Sequence, residues 1–172
     1  MNSSEPVANG EQNIACISVF PGGAVARQTY DIVQLKDCRV AVEKSNVAWV
    51  NVTLPDVRAT AHEIAVGFGF PRELVDKVLE ADKSEYIDHD SELGMLLPAV
   101  QVRGWEIKLS PLLVLVRKNL ILTIHPCEVK RFVRFSRYAE GVMRKFKESQ
   151  TVSDRLTIML IRILDENNEK NF

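Results

Sequence analysis

Hydrophobic residues dominate two segments in the first third of the chain, 14–20 and 47–52. The second segment is rich in β-branched residues, and both fit the pattern of buried β-strands. The segments 30–35 and 38–42 are predicted as short strands as well. A Pro-Gly-Gly turn ends the first strand. The chain is therefore predicted to begin with a set of strands.

The pattern changes to a helical period after Asp56, a predicted N-cap whose carboxylate can accept a hydrogen bond from a backbone amide of the first turn. Apolar residues then recur at helical spacing: Val57, Ala61, Ile64, Ala65 and Phe68. Gly69 is expected to end this helix, and Pro71 suits the first turn of a second one. The apolar face of the second helix consists of Leu74, Val75, Val78 and Leu79.

A second set of strands is predicted at 94–102, 105–109, 112–116 and 120–124. The last two flank residues 117–119, a hairpin of three-residue loop length. They are nearly all apolar, which is typical of strands in a sheet that is covered on both faces.

The C-terminal third is predicted to form two further helices. The apolar stripe of the first consists of Val129, Phe132, Val133, Ala139, Val142, Met143 and Phe146. Thr151 and Asp154 fit a capping box at the start of the second helix. Its stripe consists of Leu156, Met159, Leu160, Ile163 and Leu164.

Strands, two helices, strands and two helices, in that order, predict an α/β domain with a mixed β-sheet and helices packed over it. We place this domain at residues 14–148, after a polar, disordered tail at 1–13 and before a C-terminal helix at 149–172. The tail lacks the charged region and apolar stretch of a signal peptide.

The composition is that of an ordinary soluble protein, with 46% hydrophobic and 26% charged residues among 172. A net charge of −1 gives no reason to expect nucleic acid as a partner. No apolar run approaches the roughly 20 residues of a membrane span. Cys16, Cys38 and Cys127 are widely spaced and are expected to be reduced thiols in a cytosolic setting.

Candidate catalytic chemistry is sparse. The sequence contains no nucleophile elbow, P-loop, Cys-x-x-Cys or zinc-protease motif. His125 and Cys127 are two residues apart, but zinc needs three or four ligands, and His62 and His89 are distant in sequence. We interpret His125 and Cys127 as residues at a strand end before a helix, and we predict no enzyme.

Two segments carry opposite charge. Residues 73–92 hold eight acids and two bases, which suits either a hard cation or a solvated face or turn. The helix at 128–148 holds seven bases and three acids. It can meet phosphates, or the acidic segment of this chain or of a neighbouring subunit. We favour the protein partner over nucleic acid, because no aromatic side chains interleave for base stacking.

Three motifs follow one another along the chain. The first contains Trp49, Val50 and Asn51; the second contains Phe68, Gly69, Val78 and Leu79; the third contains Asn119, Leu120, Thr123, Ile124, His125 and Pro126. In this order they resemble the CorA family of divalent-cation channels. The resemblance runs from about residue 14 to the end of the chain. Within it, Trp49 is expected to pack under the sheet, and the turn after its strand to begin the first helix.

The resemblance implies an α/β/α sandwich on the cytosolic face of the cell membrane, in a homopentamer that carries magnesium or a related divalent ion. In that family a long stalk and two membrane helices form the ion path, with a Gly-Met-Asn signature that this sequence lacks. We therefore expect the chain not to conduct ions by itself, and to be monomeric or weakly associated in isolation. Ile158 and Ile161, outside the apolar stripe, are predicted to contact a stalk or another subunit.

The family's acidic pair in the second helix falls on Asp76 and Lys77, so the resemblance implies weakened binding of a regulatory metal. Asp76 and Glu80 are one helical turn apart and are the predicted metal residues. No cofactor is required, and any bound magnesium is expected to be weak. The predicted function is a cytosolic regulatory and assembly domain of a CorA-like transporter, with other copies of the subunit and divalent cations as partners. The alternative is a free-standing α/β protein-interaction module.

Overall fold

The computed structural model describes residues 12–169. The predicted tail at 1–13 lies almost wholly outside these residues. The elements in chain order are β1 (Asn13–Val19), β2 (Val25–Asp31), a short 3-10 helix (Ile32–Gln34), α1 (Leu35–Lys44), β3 (Val47–Leu54), α2 (Val57–Gly67), α3 (Arg72–Leu79), β4 (Glu85–His89), β5 (Glu92–Arg103), β6 (Glu106–Arg117), β7 (Leu120–Pro126), α4 (Arg131–Arg144) and α5 (Val152–Glu169).

The strands form one mixed seven-stranded sheet in the order β2-β1-β3-β7-β6-β5-β4. β3 and β7 pair in parallel, and the other neighbours pair antiparallel. Every residue of β3 and β7 is buried, since both faces of the sheet are covered there. The predicted α/β/α sandwich with a mixed sheet is confirmed.

Each face of the sheet has its own hydrophobic core. On one face, α1, α2 and α3 pack over Val50, Val52, Leu113, Leu115 and Leu122. On the other face, α4 and α5 pack over residues that alternate with these: Trp49, Leu112, Val114 and Ile121. Successive side chains of a strand point to opposite faces, and both faces are covered here, which is why these strands are mostly apolar.

Two predicted strands in the first third are wrong. The segment 38–42 lies in α1, where Cys38 and Val42 are the buried residues, four positions apart as on one face of a helix. The segment 30–35 contains only the end of β2 and the 3-10 helix, whose capping box is formed by Asp31 and Gln34. The apolar and polar residues of this stretch fit both the strand period and the helical period, and packing against β1 favours the helix.

The second half contains one strand that the sequence did not predict and one that it divided. β4 lies within the acidic segment and pairs with β5. The segments 105–109 and 112–116 belong to the single twelve-residue strand β6. Arg117 pairs with Leu120, so the hairpin loop has two residues rather than three, and Lys118 adopts a φ of 50° there. The short loop fits the two-residue hairpins that require positive φ.

The predicted caps are confirmed. The Asp56 carboxylate accepts a hydrogen bond from the Ala59 amide at 3.1 Å and begins α2. At the start of α5, the Thr151 amide donates to Asp154 at 2.8 Å, and the Asp154 amide donates to the Thr151 hydroxyl at 3.1 Å. Backbone amides of each first turn therefore have side-chain partners.

Candidate functional site

The predicted metal residues lie on α3, close to α2. Gly69, with φ of 90°, lets the chain turn sharply between the two helices. This turn brings His62 of α2 to Asp76 of α3, with Nδ1 2.6 Å from Oδ1. The side chain of Asp76 is 47% exposed, and that of His62 is 22% exposed. Asp76 therefore has a histidine partner that helical spacing alone did not indicate.

Glu80 caps the C-terminus of α3, and its amide donates to the Asp76 carbonyl at 3.0 Å. Its side chain is exposed and forms no ion pair in the described part of the chain. Across residues 12–169, no three acid, histidine or cysteine side chains come together as a metal-binding group. A metal at Asp76 and Glu80 stays a prediction, and His62 is the further side chain that it would have to accommodate.

Lys77 follows Asp76 on α3, about 100° round the helix axis from it. Its Nζ lies 2.9 Å from a carboxylate oxygen of Glu73, one turn earlier. Hydrogen bonding to Lys77, together with its charge, lowers the pKa of Glu73. Lys77 and Glu73 are both more than half exposed, so this pair adds little to stability. It does neutralise one acid beside the predicted metal residues.

Part of the acidic segment forms an edge of the sheet: Glu85 and Asp88 lie on β4, and the turns on either side of β4 carry further acids. We define the acidic edge as the exposed residues on and beside β4: Glu80, Asp82, Glu85, Tyr86, Asp88 and Asp90. Tyr86 is 60% exposed. Within residues 12–169 these five acids form no ion pair, whereas Glu92 bonds to Arg117 at 3.4 Å. The acidic edge is thus a negative surface, although exposed Lys83 lies within it and the Arg58 guanidinium donates to the Leu79 and Asp82 carbonyls beside it.

A basic surface lies on α4, which packs on the face of the sheet opposite to α3. We define the basic face as the exposed residues Val133, Arg134, Arg137 and Tyr138. Val133, predicted to lie in the apolar stripe, is 49% exposed, and Phe135 is buried instead. Neither Arg134 nor Arg137 forms an ion pair within the described residues. Because α3 and α4 cover opposite faces of the sheet, this helix does not meet the acidic segment of its own chain.

Arg131 has a structural position. It is 7% exposed and donates hydrogen bonds to the Asn167 carbonyl at 2.7 Å and to the Val100 carbonyl. Burial lowers the pKa of its guanidinium. Asn167 in turn donates to the Pro98 carbonyl at 3.1 Å. Arg131 therefore ties α4 to α5 and β5, and it is not available to a partner.

The other candidate ligands also serve the fold. His125 is fully buried, stacks near Phe132 with ring centroids 5.3 Å apart, and lies with Nδ1 3.0 Å from the Pro126 carbonyl oxygen. Loss of solvation lowers its pKa to about 4. Burial raises the pKa of the Cys127 thiol, which reduces its thiolate fraction. The interpretation as strand-end residues agrees with this geometry. Cys16 and Cys38 are buried free thiols.

The residues of the first and third motifs come together at the centre of the sheet. Trp49 is fully buried, as predicted, and its indole Nε1 donates to the Thr123 hydroxyl at 2.9 Å. That hydroxyl lies 2.7 Å from Asn51 Oδ1 and can donate to it. Trp49 also packs on Phe135 at 5.3 Å. These motif residues therefore join β3 to β7 and to α4.

The β5–β6 hairpin carries a feature that the sequence analysis did not weigh. Its tip exposes four large apolar side chains: Val102, Trp105, Ile107 and Leu109. Val102 pairs directly with Ile107, so both lie on one face of the hairpin. In the sequence, this feature is indicated only by a strand pattern that extends beyond the buried apolar segments of β5 and β6. None of the helices in the described part of the chain is long and apolar enough to cross a membrane.

Three solved structures share this fold. The match to the complete structure of the CorA magnesium transporter from Methanocaldococcus jannaschii covers 89% of this chain and 43% of the transporter chain, with a TM-score of 0.58 and 14% sequence identity. The soluble domain of the same transporter covers 89%, over 60% of its own chain, with TM-score 0.50 and 13% identity. The ZntB cytoplasmic domain from Vibrio parahaemolyticus covers 93%, over 59% of its own chain, with TM-score 0.56 and 13% identity.

The chain thus spans less than half of the complete CorA transporter and about three-fifths of each soluble domain. No protein-family model matches the sequence, and no curated protein does. At these identities the likeness shows the fold. The α/β/α sandwich is that of the CorA and ZntB soluble domains, as the motif resemblance predicted.

Proposed function

We propose that this chain is the cytosolic regulatory and assembly domain of a CorA-like transporter for magnesium or another divalent cation. The observation that carries the proposal is the fold itself, shared over about nine-tenths of the chain with a magnesium transporter and with the ZntB cytoplasmic domain. The residues of the first and third motifs support it, since they form one buried network. An enzymatic role has no comparable support.

In this proposal the ion passes through membrane-spanning parts of an assembly, and the domain at the cytosolic face contributes subunit contacts and a response to cytosolic cation. Asp76 and Glu80 are the residues that we assign to the cation. Their affinity is expected to be low, because Mg²⁺ retains most of its water and two carboxylates supply few ligands. The engagement of Asp76 with His62 lowers its availability further.

The test is deletion from the source cells of the gene that encodes this domain, with the initial rates of Mg²⁺, Ni²⁺ and Zn²⁺ uptake as readout. We expect reduced uptake of at least one ion and recovery when the unmodified gene is supplied again. A matched control supplies the gene with Trp49→Ala, which disrupts the central network and should not restore uptake. Uptake of all three ions at normal rates without the gene would contradict the proposal.

The second candidate is a free-standing protein-interaction module, favoured by the apolar tip of the β5–β6 hairpin. Trp105 is fully exposed there, beside Val102 and Ile107. Exposed aromatic residues are typical anchors of protein interfaces. Normal cation uptake without the chain, together with a complex in cells that Trp105→Ser abolishes, would favour this alternative.

A further inference from the structure

Two of the three cysteines lie against each other beneath the exposed helix α1. Cys16 is on β1 and Cys38 is on α1, and both are buried in the same hydrophobic core. Their side chains form a hydrogen bond with each other. Cys127 follows β7 and is partly exposed. Sequence spacing alone did not indicate the contact, because β2 lies between β1 and α1 along the chain.

We propose that Cys16 and Cys38 are a site of reversible oxidation, at which a peroxide converts the two thiols into a disulfide that fastens α1 to β1. In the reduced chain both are free thiols, the state expected in the cytosol. The disulfide is independent of the proposed transporter role, since it needs only residues of this domain.

The surroundings make Cys16 the thiol that reacts first. Its sulfur shares hydrogen bonds with the Cys38 thiol and the Ser18 hydroxyl, and the bond with Cys38 lowers the pKa of Cys16 more than burial raises it. The same hydrogen bond, together with burial, raises the pKa of Cys38, which keeps its proton. Because the thiolate is the nucleophile, Cys16 attacks the oxidant and Cys38 resolves the product.

The reaction has two steps. The Cys16 sulfur attacks one oxygen of hydrogen peroxide, so that an S–O bond forms, the O–O bond breaks, and the second oxygen leaves as water with the thiol proton. The Cys38 sulfur then attacks the sulfenic acid at Cys16, an S–S bond forms, and the hydroxyl leaves as water with the Cys38 proton. Two thiols lose two electrons and two protons, and one peroxide is reduced to two waters.

The cover over the two thiols is the least buried part of the fold. Only Cys38 and Val42 are buried among the ten residues of α1, and none of the seven residues of β2 is buried. Tyr30, at the end of β2, packs against this core and interacts electrostatically with both thiols. A segment with few buried contacts opens locally at a low free energy. Opening of α1 therefore admits peroxide and lets the sulfurs approach to the disulfide distance of about 2.05 Å.

The disulfide would hold a helix that is otherwise fixed by a few polar contacts. Asn119 Nδ2 donates to the Val42 and Ser45 carbonyls at the C-terminus of α1, each at 3.0 Å. Arg39 donates to the Gly67 carbonyl of α2 at 3.0 Å. A covalent bond at Cys38 removes the local opening of α1. It also closes a loop that contains β2, which restricts the unfolded chain.

The experiment treats the reduced whole chain with excess hydrogen peroxide, blocks the remaining thiols by alkylation, and maps tryptic peptides by mass spectrometry. Cleavage after Arg27 and Lys36 separates the two cysteines, so the disulfide appears as a linked pair of peptides that dithiothreitol separates. We expect this pair, a melting temperature raised by about 5–10 °C, and slower hydrogen exchange of the α1 amides.

Single cysteine variants supply the controls. Cys16→Ala and Cys38→Ala should give neither the linked pair nor the rise in melting temperature, whereas Cys127→Ala, the matched control, should give both. Circular dichroism checks that each variant is folded, and the peptide map of the unmodified chain decides the proposal even where a variant does not fold.

Three results would overturn the proposal. One is the absence of the linked pair after peroxide treatment, with Cys16 and Cys38 both alkylated on unfolding. Another is oxidation that stops at separate sulfenic or sulfonic acids, or that links either residue to Cys127 instead. The third is a linked pair with unchanged melting temperature and unchanged exchange in α1, which would show that the bond does not fasten the helix.

Discussion

The centre of the sheet and its charged periphery use polar groups in opposite ways. At the centre, Trp49, Thr123 and Asn51 are buried and bonded to one another, and no partner outside the chain can reach them. At the periphery, the acidic edge and the basic face are exposed and have no ionic partner in the described chain. Buried polar groups must be satisfied internally, whereas exposed ones remain available. The centre therefore determines the fold, and the periphery determines what the fold can bind.

The largest expected effect separates the two tryptophans. Trp49→Ala leaves a cavity in the core and an unsatisfied Thr123 hydroxyl, and it should lower the free energy of unfolding by about 3–5 kcal/mol. Trp105→Ala, at a fully exposed position, should change it by less than about 0.5 kcal/mol. Urea unfolding of both variants checks the contrast. Equal losses would mean that the hairpin tip is packed in solution.

The second effect concerns pH. The folded-state pKa of His125 is about 4, below its ordinary value of 6.5, because burial disfavours the charged imidazole. The unfolded chain therefore binds the extra proton between these values, and stability is lost as pH falls from about 6.5 to about 4. The loss should be on the order of 3 kcal/mol.

A His125→Gln variant isolates this contribution, since all other titrating groups are shared. It should be less stable than the unmodified chain at pH 7, and the gap should close by pH 4.5. His62→Gln, at a partly exposed position, is the control. A gap that stays constant over this range would show that the imidazole at 125 is not held neutral by burial.

The third effect tests the hydrogen bonds of the centre without changing its volume. Thr123→Val leaves the Trp49 indole and the Asn51 amide without their shared partner and should cost about 1–3 kcal/mol. Thr29→Val on the exposed strand β2 should stay within about 0.5 kcal/mol. Thermal melting of both variants distinguishes a satisfied network from simple packing. No difference between them would contradict the role given to the network.

The central strands could be predicted from the sequence because their residues fit a buried strand and no other element. The peripheral elements α1 and β4 could not. β3 and β7 are buried throughout and mostly apolar, and the same pattern does not suit a surface helix. The residues of α1 fit two periods, and only contact with β1 resolves them. β4 has the alternation of a strand, but its acids resemble those of a solvated turn. Hydrophobic periodicity detects a strand through its buried apolar residues, and an exposed edge strand has few of these.

The candidate site shows the same limit. The one-turn spacing of Asp76 and Glu80 follows from the sequence alone. The contact of Asp76 with His62 depends on how α2 packs on α3, which helical spacing does not give. On α4, the predicted apolar stripe is wrong at one position, because Val133 is exposed and Phe135 is buried instead. Local patterns give faces of helices, and tertiary packing decides which charges meet.

The smallest effect concerns magnesium. A ligand present at about its dissociation constant, here roughly 10 mM, adds only about 0.4 kcal/mol, or a melting shift below about 2 °C. Lys77→Asp should enlarge this shift, because it removes a positive charge near Asp76 and frees Glu73. Lys83→Asp, an equal charge change on a nearby loop, should not. A shift of many degrees at about 1 mM magnesium would contradict weak binding at Asp76 and Glu80.

Ile161 provides a further contrast within α5. It is 52% exposed, whereas Ile163 two positions later is fully buried. Ile161→Ser should leave the melting temperature of the isolated chain unchanged and weaken any larger assembly in cells. Ile163→Ser should lower the stability of the isolated chain by about 2–4 kcal/mol, since it buries a hydroxyl and leaves a cavity. An equal loss of stability in both variants would remove Ile161 as a contact residue.

The most direct measurement of the central claim is divalent-cation uptake by cells from which the gene that encodes this domain has been deleted. The account predicts a lower initial rate of Mg²⁺, Ni²⁺ or Zn²⁺ uptake, which returns when the unmodified gene is supplied and does not return when the gene carries Trp49→Ala. Normal uptake of all three ions without the gene would contradict the proposal that this domain serves a divalent-cation transporter.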